Sequence, residues 1–126
     1  MAIVGNGVDL ARIPRFRRFV DEGKLALLER LFTVAEREYA DSCKDPASHY
    51  AVRFAAKEAF VKALGTGLRF GLSWQQIEVV RDDLGRPSLV LTGRALELMT
   101  EKGATRTHLS YSHDGNYGVA SVILEE

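Results

Sequence analysis

Two acidic side chains, Asp9 and Glu58, are the residues of this sequence best suited to holding a metal ion. Asp9 follows the apolar segment 2–8, whose composition predicts a buried first strand ending at Asp9. An aspartate there commonly caps the next helix, but it can also serve as a metal ligand. Magnesium usually takes one or two protein carboxylates and completes its octahedron with water and substrate phosphates. Asp9 and Glu58 could form such a pair, although sequence spacing alone does not bring them together.

Glu58 lies in the alanine-rich segment 48–64, which lacks internal Gly and Pro and is predicted to be a helix. Helical spacing places five residues on one stripe of this helix: Ala51, Ala55, Glu58, Ala59 and Lys62. One interpretation is that small alanines keep the surface low, so that a ligand can approach Glu58 and Lys62. The other is an ordinary Glu–Lys pair four residues apart, which stabilises a helix by about 0.2–0.5 kcal/mol.

The glycines of Gly65-Thr66-Gly67 come directly after this helix. A helix C-cap is their ordinary role, and they lack the helix N-terminus that turns a glycine-rich loop into a phosphate cradle. Glycines nevertheless allow backbone N–H groups to come close to a ligand. Lys62 lies nearby as a charge suited to binding phosphate.

His113 is predicted at the end of a strand, between Ser112 and Asp114. These three residues do not predict a catalytic triad, because adjacent strand residues face opposite sides of a sheet. His113 is interpreted either as a donor to a phosphate or as a solvated turn residue.

The segment 12–30 is basic, in contrast to the chain as a whole. It carries six Lys and Arg residues against three acidic ones, whereas the full chain has 17 of each sign. A charged helix face is usually only solvated, but this surplus is also suited to steering an acidic partner. The basic stretch Arg12–Arg18 is therefore interpreted either as a solvated helix face or as a docking surface.

Length and composition limit the class of protein. A chain of 126 residues predicts a single domain over 1–126. The absence of net charge gives no support for nucleic-acid binding, and no apolar run predicts a membrane span or signal peptide. A single cysteine, Cys43, fits a reducing compartment, so a cytoplasmic location is expected.

Helical patterns fill the first half of the chain and alternating strand patterns fill the second. Helices are predicted between Ile13 and Leu31 with a break near Gly23, from a capping box at Thr33–Glu36 to before Pro46, over 48–64, and over Gly93–Lys102. Strands are predicted at Ile77–Arg81 and Ser88–Thr92 around an Asp82–Arg86 turn, and at Thr107–Ser112 and Tyr117–Leu124. This order predicts an α+β domain.

Several of these motifs together resemble the holo-acyl-carrier-protein synthase family of phosphopantetheinyl transferases. The segment Arg53–Gly67 (RFAAKEAFVKALGTG) resembles the central family motif almost without interruption, and Gly7-Val-Asp9-Leu10 resembles the N-terminal signature. Phe32-Thr-x-x-Glu36, Gly85-Arg-Pro87 and Ser110-x-Ser112-His113 also match in order and spacing. The sequence departs from many relatives at Arg12, where they carry Glu.

The resemblance implies a phosphopantetheinyl transferase fold, in which an antiparallel sheet packs on a long central helix and the protein forms a homotrimer with active sites between subunits. The implied activity is magnesium-dependent transfer of 4′-phosphopantetheine from coenzyme A to a serine of acyl carrier protein, in support of fatty acid biosynthesis. Asp9 and Glu58 would bind Mg²⁺, and Glu58 and Lys62 would be catalytic. Because such carrier proteins are acidic, Arg15, Arg18 and Lys24 would be the candidate docking residues. The residues implied to contact coenzyme A are Arg53, Lys62, Gly65, Thr66, Gly85, Pro87 and His113, with Arg53 and His113 as partners of the 3′-phosphate.

Three other functions remain open from the sequence. A coenzyme-A-binding regulator would keep the pocket but would not need a base at Glu58, and a structural trimeric module would leave the carboxylates unexplained. A broader transferase acting on peptide- or polyketide-synthase carriers is the third. Its relatives are usually about twice as long, so this chain length favours the fatty-acid carrier.

Overall fold

The structure is a computed structural model that describes residues 1–126. Its elements are β1 (Ile3–Arg12), α1 (Ile13–Asp21), α2 (Leu25–Leu31), α3 (Val34–Ser42), α4 (Pro46–Leu64), β2 (Ile77–Arg81), β3 (Pro87–Leu91), α5 (Gly93–Glu101), β4 (Arg106–Asp114) and β5 (Tyr117–Glu125), with a 3₁₀ turn at Trp74–Gln76. Helices therefore precede most of the strands, and the α+β prediction is confirmed. No helix combines the length and the apolar character needed to cross a membrane.

Local signals place most element boundaries correctly. The Thr33 hydroxyl accepts from the Glu36 N–H while the Glu36 carboxylate accepts from the Thr33 N–H, which is the predicted capping box. Gly65 ends α4 in the left-handed conformation with φ of 79°, as expected for a glycine C-cap. The Asp82 carboxylate accepts from two backbone N–H groups of the β2–β3 turn.

A three-stranded antiparallel sheet in the order β1-β5-β4 covers one face of α4, and β2 and β3 form a separate hairpin. α4 is almost wholly buried, and its apolar side chains are the centre of the hydrophobic core. Every second residue of β5 from Gly118 to Leu124 is buried, because that face of the sheet lies against α4. The resulting arrangement is the predicted sheet on a long central helix.

Small residues allow β1 and α4 to approach each other closely. A side chain on Gly7 would overlap the carbonyl oxygen of Ala59, and one on Gly5 would overlap that of Ala63. The alanine stripe of α4 has the same purpose, since Ala51, Ala55 and Ala59 are fully buried. These alanines therefore lie in the core and not on a surface that a ligand could approach, and Ala59 leaves room for β1.

β1 differs from its prediction in burial and in length. It is an edge strand, and Val8 and Leu10 are each 60% exposed on the face turned away from α4, because nothing in a single chain covers that face. The strand also continues to Arg12, so Asp9 lies inside it, paired with Ala120. Arg12 is the cap residue of α1, which excludes the helix-cap interpretation of Asp9.

Candidate active site

Asp9 and Lys62 meet where β1 crosses α4. Asp9 alternates with Gly7 along β1, so its side chain lies on the face turned toward α4. Lys62 Nζ donates to Asp9 Oδ1 at 2.9 Å and to the Val8 carbonyl oxygen at 3.2 Å. The hydrogen bond to Asp9 raises the pKa of Lys62. Lys62 therefore forms its ion pair with Asp9 and not with Glu58, one turn earlier on the same helix.

Glu58 is partly buried beside this pair. Burial raises the pKa of its carboxyl group, the charge of Asp9 raises it further, and Lys62 and Arg15 act in the opposite direction. Two carboxylates from different elements thus lie close enough to repel each other, and two cationic side chains surround them.

The donor set of this site fits a magnesium ion. Asp9 Oδ1 accepts from Lys62, while Oδ2 makes no protein hydrogen bond and neither does the Glu58 carboxylate. Two carboxylates are the number that Mg²⁺ ordinarily takes from a protein when its other ligands are water and phosphate oxygens. A divalent cation between Asp9 and Glu58 would also relieve the repulsion that raises the Glu58 pKa.

A cavity of about 390 Å³ opens beside Glu58. It is lined by Glu58, Val61, Lys62, Gly65, Gly67, Leu68 and Trp74. The predicted contact residue Gly65 therefore lies in the same cavity as the carboxylate and the lysine. Thr66 does not line it, and its hydroxyl donates to the Gly67 carbonyl oxygen at 2.9 Å.

A second cavity, of about 450 Å³, contains Arg53 and Gly85. Arg53 is only 2% exposed, and its guanidinium lies 4.7 Å from the centre of the Tyr39 ring. Arg81 contacts the same ring at 5.0 Å. Neither guanidinium forms an ion pair within the chain, and Arg53 Nε has no hydrogen-bond partner. This cavity therefore combines two arginines with an aromatic ring, which suits an anionic aromatic ligand, although Glu36, Asp82 and Asp83 also line it.

His113 lies on β4, which contacts α4, whereas Pro87 lies in a different cavity. The pKa of His49, one turn before Arg53 on α4, is lowered by burial and by the charges of Arg53 and His113. The structure thus brings His113 close to the Arg53 segment of α4. Pro87 lines a third, smaller cavity of about 180 Å³ together with His108. Within one chain, neither of these two cavities shares a residue with the cavity of Glu58 and Lys62.

The candidate docking residues lie on and just after α1. The Arg15 guanidinium lies over three phenylalanine rings, at 5.5–5.7 Å from their centres. Arg18 and Lys24 are exposed, and both pair with Glu22, at 4.0 and 3.8 Å. Exposed pairs of this kind are weak, so both cations remain accessible to a partner.

The sequence analysis did not identify three residues of the two main cavities as functional candidates: Tyr39, Trp74 and Arg81. Trp74 is the only tryptophan of the chain, which was the one available signal for it. The contacts of Tyr39 with Arg53 and Arg81 join three elements far apart in the chain. No local spacing encodes such contacts.

Known proteins resemble this chain along nearly its whole length. The family model of the 4′-phosphopantetheinyl transferase superfamily matches residues 5–121. A holo-[acyl-carrier-protein] synthase of Syntrophotalea carbinolica is 59% identical over 121 residues, which are 96% of this chain and 94% of the relative. One from Geotalea daltonii is 56% identical over 98% of this chain and 99% of its own length.

Solved structures show the same fold. The holo-[acyl-carrier-protein] synthase of Neisseria meningitidis matches with a TM-score of 0.87 and 35% identity, over 99% of this chain and all of that chain. The enzyme of Bacillus anthracis, in complex with CoA (3′,5′-ADP), matches with a TM-score of 0.80 and 37% identity, over 98% of this chain and 96% of that chain. With this identity along nearly the whole chain, the predicted resemblance is confirmed: the chain belongs to the holo-[acyl-carrier-protein] synthase family of the 4′-phosphopantetheinyl transferase superfamily.

Proposed function

We propose that this protein transfers 4′-phosphopantetheine from coenzyme A to a serine hydroxyl of apo-acyl carrier protein and releases adenosine 3′,5′-bisphosphate. The observation that carries the proposal is the convergence of Asp9, Glu58 and Lys62 beside one cavity, from β1 and α4. The complex of the Bacillus anthracis relative with CoA supports the substrate.

In the proposed reaction, the serine oxygen attacks the β-phosphorus of coenzyme A. A bond forms from the serine oxygen to that phosphorus, and the bond from the phosphorus to the oxygen bridging the two phosphates breaks, its electron pair leaving with adenosine 3′,5′-bisphosphate. Glu58 is the proposed acceptor of the serine proton, either directly or through a water molecule. Lys62 stabilises the negative charge that develops on the leaving oxygen.

Asp9 and Glu58 are the proposed ligands of Mg²⁺. When bound, the metal supplies Lewis-acid stabilisation of charge on the phosphate oxygens. Asp9 has a second part in the proposal, since its carboxylate holds Lys62 at the edge of the cavity. The Lys62 ammonium is thereby oriented before the substrate arrives, which lowers the entropic cost of the reaction.

The adenosine end of coenzyme A is proposed to bind the remaining predicted residues. Arg53 and Gly85 share the cavity that contains Tyr39, and Arg53 and His113 are proposed to donate hydrogen bonds to the 3′-phosphate. Thr66 and Pro87 are proposed to contact the same ligand. Because these groups lie apart from Glu58 and Lys62 within one chain, we propose that the working enzyme is a homotrimer whose active sites combine two subunits.

Acyl carrier protein is the proposed macromolecular partner. Carrier proteins of this kind are acidic, and the cations Arg15, Arg18 and Lys24 lie on α1 and at the start of α2, so complementary charge supports docking there. The proposal places the protein in the cytoplasm, in fatty acid biosynthesis, with residues 1–126 acting as one transferase domain.

Mass spectrometry of apo-acyl carrier protein tests the proposed activity. The carrier is incubated with coenzyme A, Mg²⁺ and this protein, and it is expected to gain one phosphopantetheine on serine. A carrier whose target serine is replaced by alanine is the matched control. A wild-type carrier that binds but remains unmodified would show that the protein is a binding module and not a transferase.

A further inference from the structure

The ion pair between Glu36 of α3 and Lys57 of α4 is completely buried, and the proposed reaction does not use it. Lys57 Nζ lies 2.7 Å from Glu36 Oε1, and both side chains are 0% exposed. Removing two charges from water is unfavourable, and apolar residues in the same place often give an equally stable fold. Stability alone therefore does not explain why these two residues are charged.

The pair makes four hydrogen bonds that join separate segments. Glu36 Oε1 accepts from Lys57 Nζ and from the Thr33 N–H at 2.8 Å, and Oε2 accepts from the Val79 N–H at 2.8 Å. Lys57 Nζ also donates to the Trp74 carbonyl oxygen at 2.9 Å. The pair thus ties α4 to the start of α3, to the 3₁₀ turn and to β2. The capping role of Glu36 requires only the hydrogen bond to Thr33, so capping does not account for the other three hydrogen bonds.

The segments held by this pair are walls of the two cavities. Trp74 lines the cavity that contains Glu58 and Lys62, whereas Glu36 and Val79 line the cavity that contains Arg53. The Trp74 ring also packs against Phe54, with ring centres 5.1 Å apart. Lys57 immediately precedes Glu58 on α4. The helix that carries the reactive carboxylate therefore also carries the lysine that is hydrogen-bonded to the Trp74 carbonyl and, through Glu36, is connected to β2.

We infer that the Glu36–Lys57 pair is a positioning device, which holds the Trp74 wall and the β2 wall in fixed places relative to Glu58 and Arg53. Both side chains are 0% exposed, so their effect on the site is exerted through the segments that they hold. The inference rests on the proposed transfer function, since it assigns these walls to the binding of coenzyme A.

The substitution Lys57→Met tests the inference, because it keeps a long side chain and removes the charge and both donated hydrogen bonds. The KM for coenzyme A is expected to rise about 10- to 100-fold, the range in which small misplacements of a site affect catalysis. Trp74 is the only tryptophan, so its fluorescence reports on the wall directly. Emission is expected to shift to longer wavelength, with stronger quenching by acrylamide.

Met99→Ala is the matched control. Met99 is buried in α5 and lines none of the described cavities, so its truncation lowers stability while all four hydrogen bonds of the Glu36–Lys57 pair remain. The control is expected to lower Tm while keeping the KM for coenzyme A and the Trp74 emission of the wild type. If Lys57→Met changes only stability, as Met99→Ala does, the positioning role is wrong.

A second variant separates positioning from folding. Lys57→Met leaves the Glu36 carboxylate buried without its partner, which is strongly destabilising. The double variant Glu36→Gln/Lys57→Met contains no buried unpaired charge, so it is expected to fold better than Lys57→Met and to keep the raised KM. Recovery of the wild-type KM in the double variant would overturn the inference.

The wild-type protein distinguishes failure of this inference from failure of the proposed function. If the wild type does not modify the carrier, the proposed transfer function is wrong. Titrations with coenzyme A, followed by Trp74 emission, then still test the positioning role by itself. Weaker binding by the double variant than by Met99→Ala supports it, and equal binding contradicts it.

Discussion

Asp9 is the residue on which the site depends most. It carries the carboxylate that orients Lys62, and its charge raises the pKa of Glu58. The substitutions Asp9→Asn and Glu58→Gln remove one charge each with little change in shape. Each is expected to lower the transfer rate about 100-fold or more, the usual effect of removing a preorganised electrostatic group.

Carrier modification, followed by mass spectrometry over a series of Mg²⁺ concentrations, measures this effect. Both variants are also expected to need more Mg²⁺ for half-maximal rate, since each loses a proposed ligand. Glu38→Gln is the control, because Glu38 is exposed on α3 and forms no ion pair. Near wild-type activity in either site variant would argue against the metal pair.

His49 predicts a pH dependence of stability. Burial, Arg53 and His113 lower its pKa below 6.5, and Asp45 opposes them. Between the folded pKa and 6.5 the unfolded chain binds a proton that the folded chain does not bind, so stability increases with pH across that window. The stabilising contribution is therefore complete above about pH 6.5 and is lost as the pH falls toward the folded pKa.

Thermal unfolding at several pH values, together with an NMR titration of the histidine ring, measures this effect. His49→Gln is expected to flatten the acid side of the stability profile, whereas His108→Gln leaves the His49 contribution in place. Binding of coenzyme A is expected to raise the His49 pKa, because the proposed 3′-phosphate site adds negative charge nearby. A His49 pKa at or above the ordinary value in the free protein would contradict the prediction.

Among the secondary-structure elements, the contact of β1 with α4 decides where Asp9 lies. Gly7→Ala places a methyl group against the Ala59 carbonyl, where helix backbone cannot move away. The expected loss of stability is about 1–3 kcal/mol, and displacement of β1 also moves Asp9 away from Glu58. Gly118→Ala is the matched control, since its methyl meets the Val52 Cγ1 atom at 2.9 Å, a side-chain group that can shift. Denaturant unfolding measures the stability of both variants. Equal losses of stability would argue that the close approach of β1 to α4 is not the cause.

The charge of α1 predicts how the carrier binds. The double charge reversal Arg15→Glu/Arg18→Glu is expected to raise the KM for the carrier, with a larger effect at low salt, where screening is weak. Steady-state kinetics at two ionic strengths measure this effect. Lys102→Glu makes the same kind of change at the exposed end of α5 and is expected to leave the KM unchanged. An unaltered KM in the α1 variant would refute the docking surface.

At the scale of the whole molecule, the outer face of the β1-β5-β4 sheet predicts assembly. Val8 and Leu10 are each 60% exposed there, and burying such apolar area drives association. Leu10→Asp is expected to reduce the molar mass from that of the proposed trimer and to abolish transfer. Light scattering during size-exclusion chromatography measures the mass. Leu96→Asp, at an exposed apolar position of α5, serves as the control and is expected to remain trimeric. If the wild-type protein is a monomer, the proposed trimer is wrong.

Sequence predicted best the features that depend on neighbours along the chain. The capping box at Thr33, the Asp82 turn and the Gly65 cap each join atoms only a few residues apart. Their partners are therefore visible in the sequence itself. The long motif Arg53–Gly67 predicted the family, and the comparisons confirm it.

Features that depend on contacts between distant segments of the chain were predicted incorrectly or were missed. The partner of Lys62 is Asp9, 53 residues earlier, instead of Glu58 on the same helix. Glu36 was recognised as a cap but not as the partner of Lys57, 21 residues later. β1 was expected to be buried because it is apolar, yet burial depends on what covers a strand.

The sequence by itself determined the helix or strand type of the main elements, several of their ends and the family, because these follow from local hydrogen bonding and from a long continuous motif. It did not predict the 3₁₀ turn at Trp74–Gln76 or the start of α4 at Pro46. Only the tertiary structure decided that Asp9 lies inside a strand, that the alanines of α4 are buried, and that the two cavities are separate within one chain. The physical reason is that packing of β1 on α4 is possible only where both backbones lack bulky side chains. That requirement involves Gly7 and Ala59 together, and no stretch of sequence contains both in a recognisable spacing.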